Sequence, residues 1–471
     1  MNKYIVLIIS FFLIISEAFA QKNSVDSLKR ALQTVSSQTD KVDILNELAL
    51  RIAHENAESA EKYARQAHKI AEENSYDEGK ANALRNLGDA YTYQQFYTRA
   101  EGFYKQALEI YQGIGDETRS AFTMNGIGLG YYYQSEYDKA LGYFKEAMKL
   151  FERGHEAEGL AETYNYIGVI YYFKANYNDA LEFYLKALKS NEELKDDYNA
   201  LLAINNIGAV YKKLGNDEKA LIYFKQALKR SEDINHETGI AQASTNLGAV
   251  YDDSGEYRQA LSYYQKALYI FQKTGDRNSE AITLNNIGIV YRRLENFDKS
   301  QEYHLKSLKI KEELDDKKGV AASLISIGEM YMAKEDYRQG LVYLKRGLRM
   351  ASQIGAREFE KDAYEGMAEA YSGLKNYAQA FNYYKKYAEL KDSLYIESGQ
   401  IADLQSKYGT HTKEIKLKLS NKEKEVKDLQ KSEKMYQTLA LIFGTGFGIL
   451  LMILLFLVFR YFKNKKVKNN L

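Results

Sequence analysis

Shifted against itself by 40 residues, the chain matches without a slip over eight successive units. The pairs Leu87-Gly88, Ile127-Gly128, Ile167-Gly168, Ile207-Gly208, Leu247-Gly248, Ile287-Gly288, Ile327-Gly328 and Met367-Ala368 share one register, and three residues after each pair stands a Tyr, from Tyr91 to Tyr371. Each unit then carries a small residue (Ala100 through Ala380) and a large one (Tyr104, Phe144, Tyr184, Phe224, Tyr264, His304, Leu344, Tyr384). A second small column runs from Ala107 to Gly347. A ninth, looser unit stands in front, with Leu48-Ala49, Ile52, Ala60 and Ala67, its inter-helix turn one residue shorter. Chains that grow by repeating such a unit bury one continuous core between neighbours, so 471 residues set no domain count here.

The apolar, small and Tyr positions fall at i, i+1 and i+4, one face of a first helix. The small, large and small positions fall at i, i+4 and i+7, one face of a second, and the two faces must pack together. Gly inside a helix costs about 1 kcal/mol relative to Ala, so its recurrence requires close approach of the paired helix. The large ring is expected to fill the gap to the next unit. Turns such as Lys213-Leu-Gly-Asn-Asp217 separate helices within a unit, and Gly113-Ile-Gly-Asp116 or Thr274-Gly-Asp-Arg277 separate units. The chain has no Pro, which suits near-continuous helix because Pro costs about 3 kcal/mol in a helix interior.

The pattern small-x-x-Tyr followed by Ala-x-x-x-aromatic-x-x-Ala resembles the tetratricopeptide repeat, whose usual period is about 34. The resemblance covers residues 42–395 and implies an all-α, helix-turn-helix solenoid of about nine repeats, preceded by a cap helix at 21–41. This chain departs in its longer period, which adds six residues to the helices or their connections, and in the missing Pro. The longer unit is similar to a 40-residue variant found in peptide-binding scaffolds of the cell-polarity type and in some bacterial regulators.

A binding site is expected on the concave face, along a second stripe of the first helix. Its members include Arg85, Asp89 and Tyr93; Asn125, Tyr132 and Tyr133; Asn165, Tyr172 and Phe173; Asn205, Lys212 and Lys213; Asp252 and Asp253; Asn285, Arg292 and Arg293. Asn86, Asn206, Asn246 and Asn286 stand just before the Leu/Ile-Gly pair, where similar repeats use Asn amides to hold an extended peptide. An amide donates and accepts at once, which suits a peptide group. Each set has a second reading. The Asn column could make ordinary inter-helix hydrogen bonds, the charges could neutralise one another as a ladder, and the four rings could be core.

The ends point to a membrane. Residues 1–20 read as a secretory signal, with Lys3, an apolar run and Ala18-Phe-Ala20. The stretch 392–434 carries a heptad of Leu394, Ile401, Tyr408 and Ile415, and residues 396–434 are read as a coiled-coil-like helix or an isolated amphipathic one. Residues 437–459 are long and apolar enough for a transmembrane helix, in which Gly444 and Gly448 give a spacing that permits a homodimer. The tail 460–471 has five basic residues and no acid. The positive-inside rule places it in the cytoplasm and the repeats on the periplasmic side of a bacterial inner membrane.

Several chemistries are excluded. There is no Cys, so no thiolate metal site or Cys nucleophile, and the six His are dispersed. A net charge of +1 argues against binding nucleic acid through bulk charge. No enzyme activity, cofactor or metal is expected. The segment order resembles the sensor half of bacterial tetratricopeptide-repeat signalling proteins without their output domain. That implies a membrane-anchored protein binding a protein or extended peptide in its groove and signalling through a separate cytoplasmic partner. The alternative is a structural scaffold for an envelope complex.

Overall fold

The computed structural model describes residues 18–397, and among these every regular element is an α-helix. A leading helix, α1 (Ala18–Thr34), precedes nine pairs. These are α2 (Gln38–Ile52) with α3 (Ala57–Glu73), α4 (Asp77–Tyr93) with α5 (Tyr97–Gly113), α6 (Glu117–Tyr133) with α7 (Tyr137–Gly154), and α8 (Ala157–Phe173) with α9 (Tyr177–Leu194). There follow α10 (Asp197–Lys213) with α11 (Asp217–Asp233), α12 (Glu237–Asp253) with α13 (Tyr257–Thr274), and α14 (Arg277–Arg293) with α15 (Phe297–Glu313). The last pairs are α16 (Lys317–Ala333) with α17 (Tyr337–Gln353) and α18 (Arg357–Gly373) with α19 (Tyr377–Glu397).

The period of 40 is two half-units of 20, each a helix of 17 or 18 residues and a short turn. The six residues beyond the usual unit therefore lengthen the helices, by nearly one turn each, and leave the connections short. From residue 75 to residue 375 a left-handed residue stands at every twentieth position. Only five of these are Gly: Gly115, Gly215, Gly255, Gly275 and Gly355. Elsewhere a side chain is held there, as at Ala175, whose N–H donates to Tyr172 O at 3.0 Å while Asn176 N–H donates to Tyr171 O at 2.8 Å. These paired bonds are a Schellman closure, which satisfies carbonyls the helix end would otherwise leave bare. The next residue often caps the following helix: the Asp116, Asp196, Asn216 and Asp276 side chains each accept a backbone N–H three residues on. In the looser first unit the missing residue comes out of α2, which has 15 residues, and the connection itself is four residues long, 53–56.

Packing follows the columns. Both small columns and the large one are almost completely buried through the middle of the array. A Cβ on Gly128 would lie 2.5 Å from the Phe144 ring, and one on Gly248 would lie 2.7 Å from Tyr264. The glycine thus exists for the large ring of its own unit. The same ring also reaches the next unit, since a Cβ on Gly126 would lie 2.8 Å from Tyr104. The Tyr column has a partner the sequence columns omitted. Tyr131 stacks on Tyr143, Tyr211 on Tyr223, Tyr251 on Tyr263 and Tyr371 on Tyr383, with centroids 5.5–5.7 Å apart. The Tyr131 hydroxyl also donates to Glu101 of the preceding unit at 2.7 Å. Successive first helices pack on one another, whereas among the described residues successive second helices make no comparable contact, so the first helices line the inner side of the curve.

One expectation is corrected here. Among the described residues no helix is long and apolar enough to cross a membrane. The solenoid helices of 17 or 18 residues run to about 26–27 Å at 1.5 Å per residue, short of the roughly 30 Å hydrocarbon layer, and the longer α19 is interrupted by Lys385, Lys386, Glu389, Lys391 and Asp392. The placement in a bacterial inner membrane with periplasmic repeats is therefore not supported. Of the segments on which it rested, residues 1–17 of the expected signal 1–20 and the span 437–459 with Gly444 and Gly448 lie outside the described residues, as do the tail and the coiled-coil-like stretch beyond Glu397, while Ala18–Ala20 belong to α1.

Candidate groove on the concave face

The Asn columns do not line an open groove. Asn86, Asn206, Asn246 and Asn286 are buried between consecutive first helices, together with Asn125, Asn165, Asn205 and Asn285. Asn206 Nδ2 donates to Asn165 Oδ1 at 3.0 Å, Asn246 Nδ2 to Asn205 Oδ1 at 3.5 Å, and Asn86 Nδ2 to the Asn46 carbonyl at 2.9 Å. For Asn86, Asn206 and Asn246 the expected contact with an extended peptide gives way to an inter-helix ladder, because neighbouring first helices pack too closely to leave these amides accessible, whereas Asn125 borders a cavity. The ladder breaks at Asn286, whose amide has no partner. The residue of the preceding unit that should receive it is Thr245, whose hydroxyl instead donates to Ala241 O at 3.0 Å.

The charges also pair between units. Lys212 Nζ lies 2.5 Å from Asp253 Oδ2 and 3.1 Å from Asp217 Oδ1. Arg293 Nη1 lies 2.5 Å from Asp252 Oδ1, and Arg292 Nη2 lies 3.3 Å from Glu329 Oε2. Lys213 is exposed and makes no ion pair among the described residues. Burial pushes the Asp252 carboxyl up to about 6 despite Arg293, and the Asp253 charge beside it adds to the rise. Desolvation therefore outweighs the attraction of this pair.

The four rings form a connected ribbon. Tyr133 stacks on Tyr97 at 5.5 Å and meets Tyr132 edge-on at 5.3 Å. Tyr132 lies 5.6 Å from Phe173, and Phe173 meets Tyr172 at 5.7 Å. Tyr172 is buried, Tyr132 and Tyr133 are half-buried, and Phe173 is 44% exposed. The set is thus partly core and partly groove wall.

Two cavities open on this side. One, of 320 Å³, is lined by Arg85, Asp89, Tyr93, Asn125, Glu162 and Tyr166 among others. Tyr104 Oη donates to Asp89 Oδ1 at 2.6 Å, and Tyr166 Oη donates to Glu162 Oε1. Burial raises both carboxyls above their ordinary range, with Arg85 and these phenols opposing the rise. The second cavity, of 720 Å³, lies at the other end, lined by Arg292, Arg293, Glu329, Tyr337, Asp362 and Glu365 among others. Glu162 and Asp362 were missed in the sequence stripe. They occupy one repeat position, 200 residues apart, a helical turn before the Asn125 column, and extending the stripe by i−3 would have found them. Among the described residues no cluster of three or more acidic or imidazole side chains is arranged to hold a metal.

A superhelix of paired helices with its inner wall built from first helices defines a repeat protein of the helix-pair class. The tetratricopeptide repeat model matches residues 44–113, 79–153, 119–193, 159–233 and 239–313, and a second model of the same repeat matches 362–394. The chain belongs to the tetratricopeptide repeat family. No curated protein matches it. Among solved structures, a Rap protein complexed with Competence and Sporulation Factor is similar at a TM-score of 0.56 and 17% identity, covering 76% of this chain and 99% of that one. The apo form of the quorum sensor NprR from B. thuringiensis is similar at 0.55 and 17%, covering 75% and 99%. A signal transduction ATPase with numerous domains and a tetratricopeptide repeat sensor, from Pyrococcus horikoshii, is similar at 0.50 and 13%, covering 83% and 68%. At these identities the likeness is one of fold.

Proposed function

We propose that this chain is a binding protein rather than an enzyme, and that its concave face holds a protein or extended peptide partner. The observation that carries this reading is the contrast between columns. The packing positions repeat almost unchanged, while one position that stays exposed or half-buried in every unit runs Tyr93, Tyr133, Phe173, Lys213, Asp253, Arg293, Ala333 and Gly373. A stack that needed only to stand up would have no use for a wall whose chemistry changes from unit to unit. A Rap protein of this fold complexed with Competence and Sporulation Factor gives support from a neighbour. Of the exposed members of the expected site, Phe173 and Lys213 belong to the contact surface while Asp253 is held by Lys212, and the half-buried Tyr132 and Tyr133 form its wall. An occupant touching several first helices at once would fix their spacing and so change the curvature of the stack, which is the physical basis for a signalling role.

The test is retention of a random nonapeptide mixture by the full chain, beside a Phe173→Ser/Lys213→Glu variant. Lys213 is exposed and Phe173 is 44% exposed, so the variant should stay folded, its melting lowered only by the ring contacts of Phe173 with Tyr132, Tyr137 and Tyr172, while the peptides it retains change and fall by about tenfold, which corresponds to roughly 1.4 kcal/mol. An identical retained set on both proteins would remove these residues from the site, and no retention by the parent would refute peptide binding.

A further inference from the structure

The smaller cavity brings together three hydrogen-bond acceptors from three consecutive first helices: Asp89 from α4, Asn125 from α6 and Glu162 from α8. Asn125 is 3% exposed, its Nδ2 donates to Thr163 Oγ1 at 2.8 Å, and its Oδ1 has no partner. A buried amide oxygen left bare is costly, so this position favours a donor supplied from outside the chain. The phenols of Tyr104 and Tyr166 each engage one oxygen of their carboxylate and orient it. Arg85 Nε stands 3.9 Å from Asp89 Oδ2 and balances one acid, leaving one net negative charge with Glu162. The floor is crowded yet open: the Asp89 side chain keeps 26% of its accessible surface.

We propose that this cavity holds a primary ammonium group of a peptide ligand, a lysine side chain or a free N-terminus, on the carboxylates of Asp89 and Glu162 and the amide oxygen of Asn125. This rests on the groove reading and adds to it what the N-terminal end of the groove selects. An ammonium has three donors and no acceptor, matching three acceptors that arrive from different helices. A guanidinium presents a flat fork and suits acceptors lying in one plane. An anion would meet the carboxylates of Asp89 and Glu162, while the two guanidiniums of the lining, Arg51 and Arg85, already face the acids Glu47 and Asp89. The volume of 320 Å³ takes one side chain or chain terminus. Tyr93 and Tyr166 supply ring faces and edges beside the charge.

Three nonapeptide mixtures, all free of Arg, test the assignment on the full chain. The first has a free α-amine and no Lys, the second is N-acetylated with one Lys, and the third is N-acetylated without Lys. The parent should retain the first or the second at least tenfold better than the third, and whichever is retained names the source of the ammonium. In Asp89→Asn/Glu162→Gln that preference should fall to the level of the third mixture, since charge-assisted bonds become neutral ones. If the double variant melts early, Glu162→Gln alone takes its place, because its amide oxygen still accepts from Tyr166. Equal retention of all three mixtures overturns the ammonium site and leaves the groove reading standing. A preference that survives the substitutions overturns it too, and no retention of any mixture overturns both.

Discussion

His304 holds the position filled by Phe224 and Tyr264 in the preceding units, and it makes the stability of the array depend on pH. Its ring is fully buried against Gly288, where a Cβ would lie 2.8 Å from it. Nδ1 lies 2.9 Å from Asn285 Oδ1, an acceptor, so Nδ1 carries the proton and the neutral ring is satisfied on that side. Nε2 is buried without a partner, so a second proton there would have nothing to bond. Burial, with Arg292 repelling a second positive charge, pushes the imidazole down to about 3. In the unfolded chain it titrates near 6.5. Between these two values the unfolded state holds one more proton than the folded state. Stability therefore falls as pH is lowered from about 6.5 to about 3, by about 1.4 kcal/mol per unit, and this group contributes no dependence above 6.5. At about pH 4.5 the loss is near 3 kcal/mol. Urea unfolding at about pH 7 and about pH 4.5 checks it against His304→Phe, which mimics Phe224. The parent should lose about 3 kcal/mol more than the variant between the two conditions. The pH-independent cost of the lost Asn285 bond cancels in the comparison. His68 and His236, which burial also lowers, are present in both proteins and cancel as well. Equal losses would refute the reasoning and mean that the ring takes up its second proton inside the fold.

Gly248→Ala should destabilise by about 1–3 kcal/mol in thermal unfolding, because the Tyr264 ring that its Cβ would meet cannot leave its buried site. Gly142→Ala, on a helix surface with nothing within 4 Å, should stabilise by about 0.5–1 kcal/mol. Asp252→Asn should not weaken the protein at pH 7 and should stabilise it by up to about 3 kcal/mol, since a carboxyl pushed up to about 6 makes folding less favourable as pH rises from its unfolded value near 4 through 6. Its unfolding free energy should accordingly lose that slope, and an unchanged slope would contradict the assignment. Asn286→Leu should be neutral or stabilising, as its amide has no partner to lose, whereas Asn206→Leu should cost about 1–3 kcal/mol by stranding Asn165 Oδ1. Chemical denaturation of the two variants side by side decides it.

Much of the fold was legible because its signals are local and repeated. The spacing of Gly248, Tyr251, Ala260 and Tyr264 is enough to place two helices and the faces they bury. The turns were legible only where Gly marked them, at five positions of the left-handed series. At Ala175, Lys195 and Glu295 the same backbone holds a residue without that preference, because the helices on either side impose the turn. The candidate site was legible in part. The stripe containing Asp89, Asn125 and Phe173 lies on the helix face that borders the smaller cavity, but it stopped a turn short of Glu162, and it counted as groove-facing several amides that pack between helices.

The unit, its length, its two helices and the pairing of small with large positions can all be read along the chain, since each follows from contacts within about one period. The partners of the polar groups emerge only once the helices are stacked. Asn206 meets Asn165, Arg293 meets Asp252, and each pair is 41 residues apart. Which partner such a side chain finds depends on how closely consecutive first helices approach and on the residue the preceding unit supplies, as Thr245 shows by leaving Asn286 without one. The same dependence brings Asp89, Asn125 and Glu162, one from each of three units, to a single cavity that no stretch of the chain contains alone.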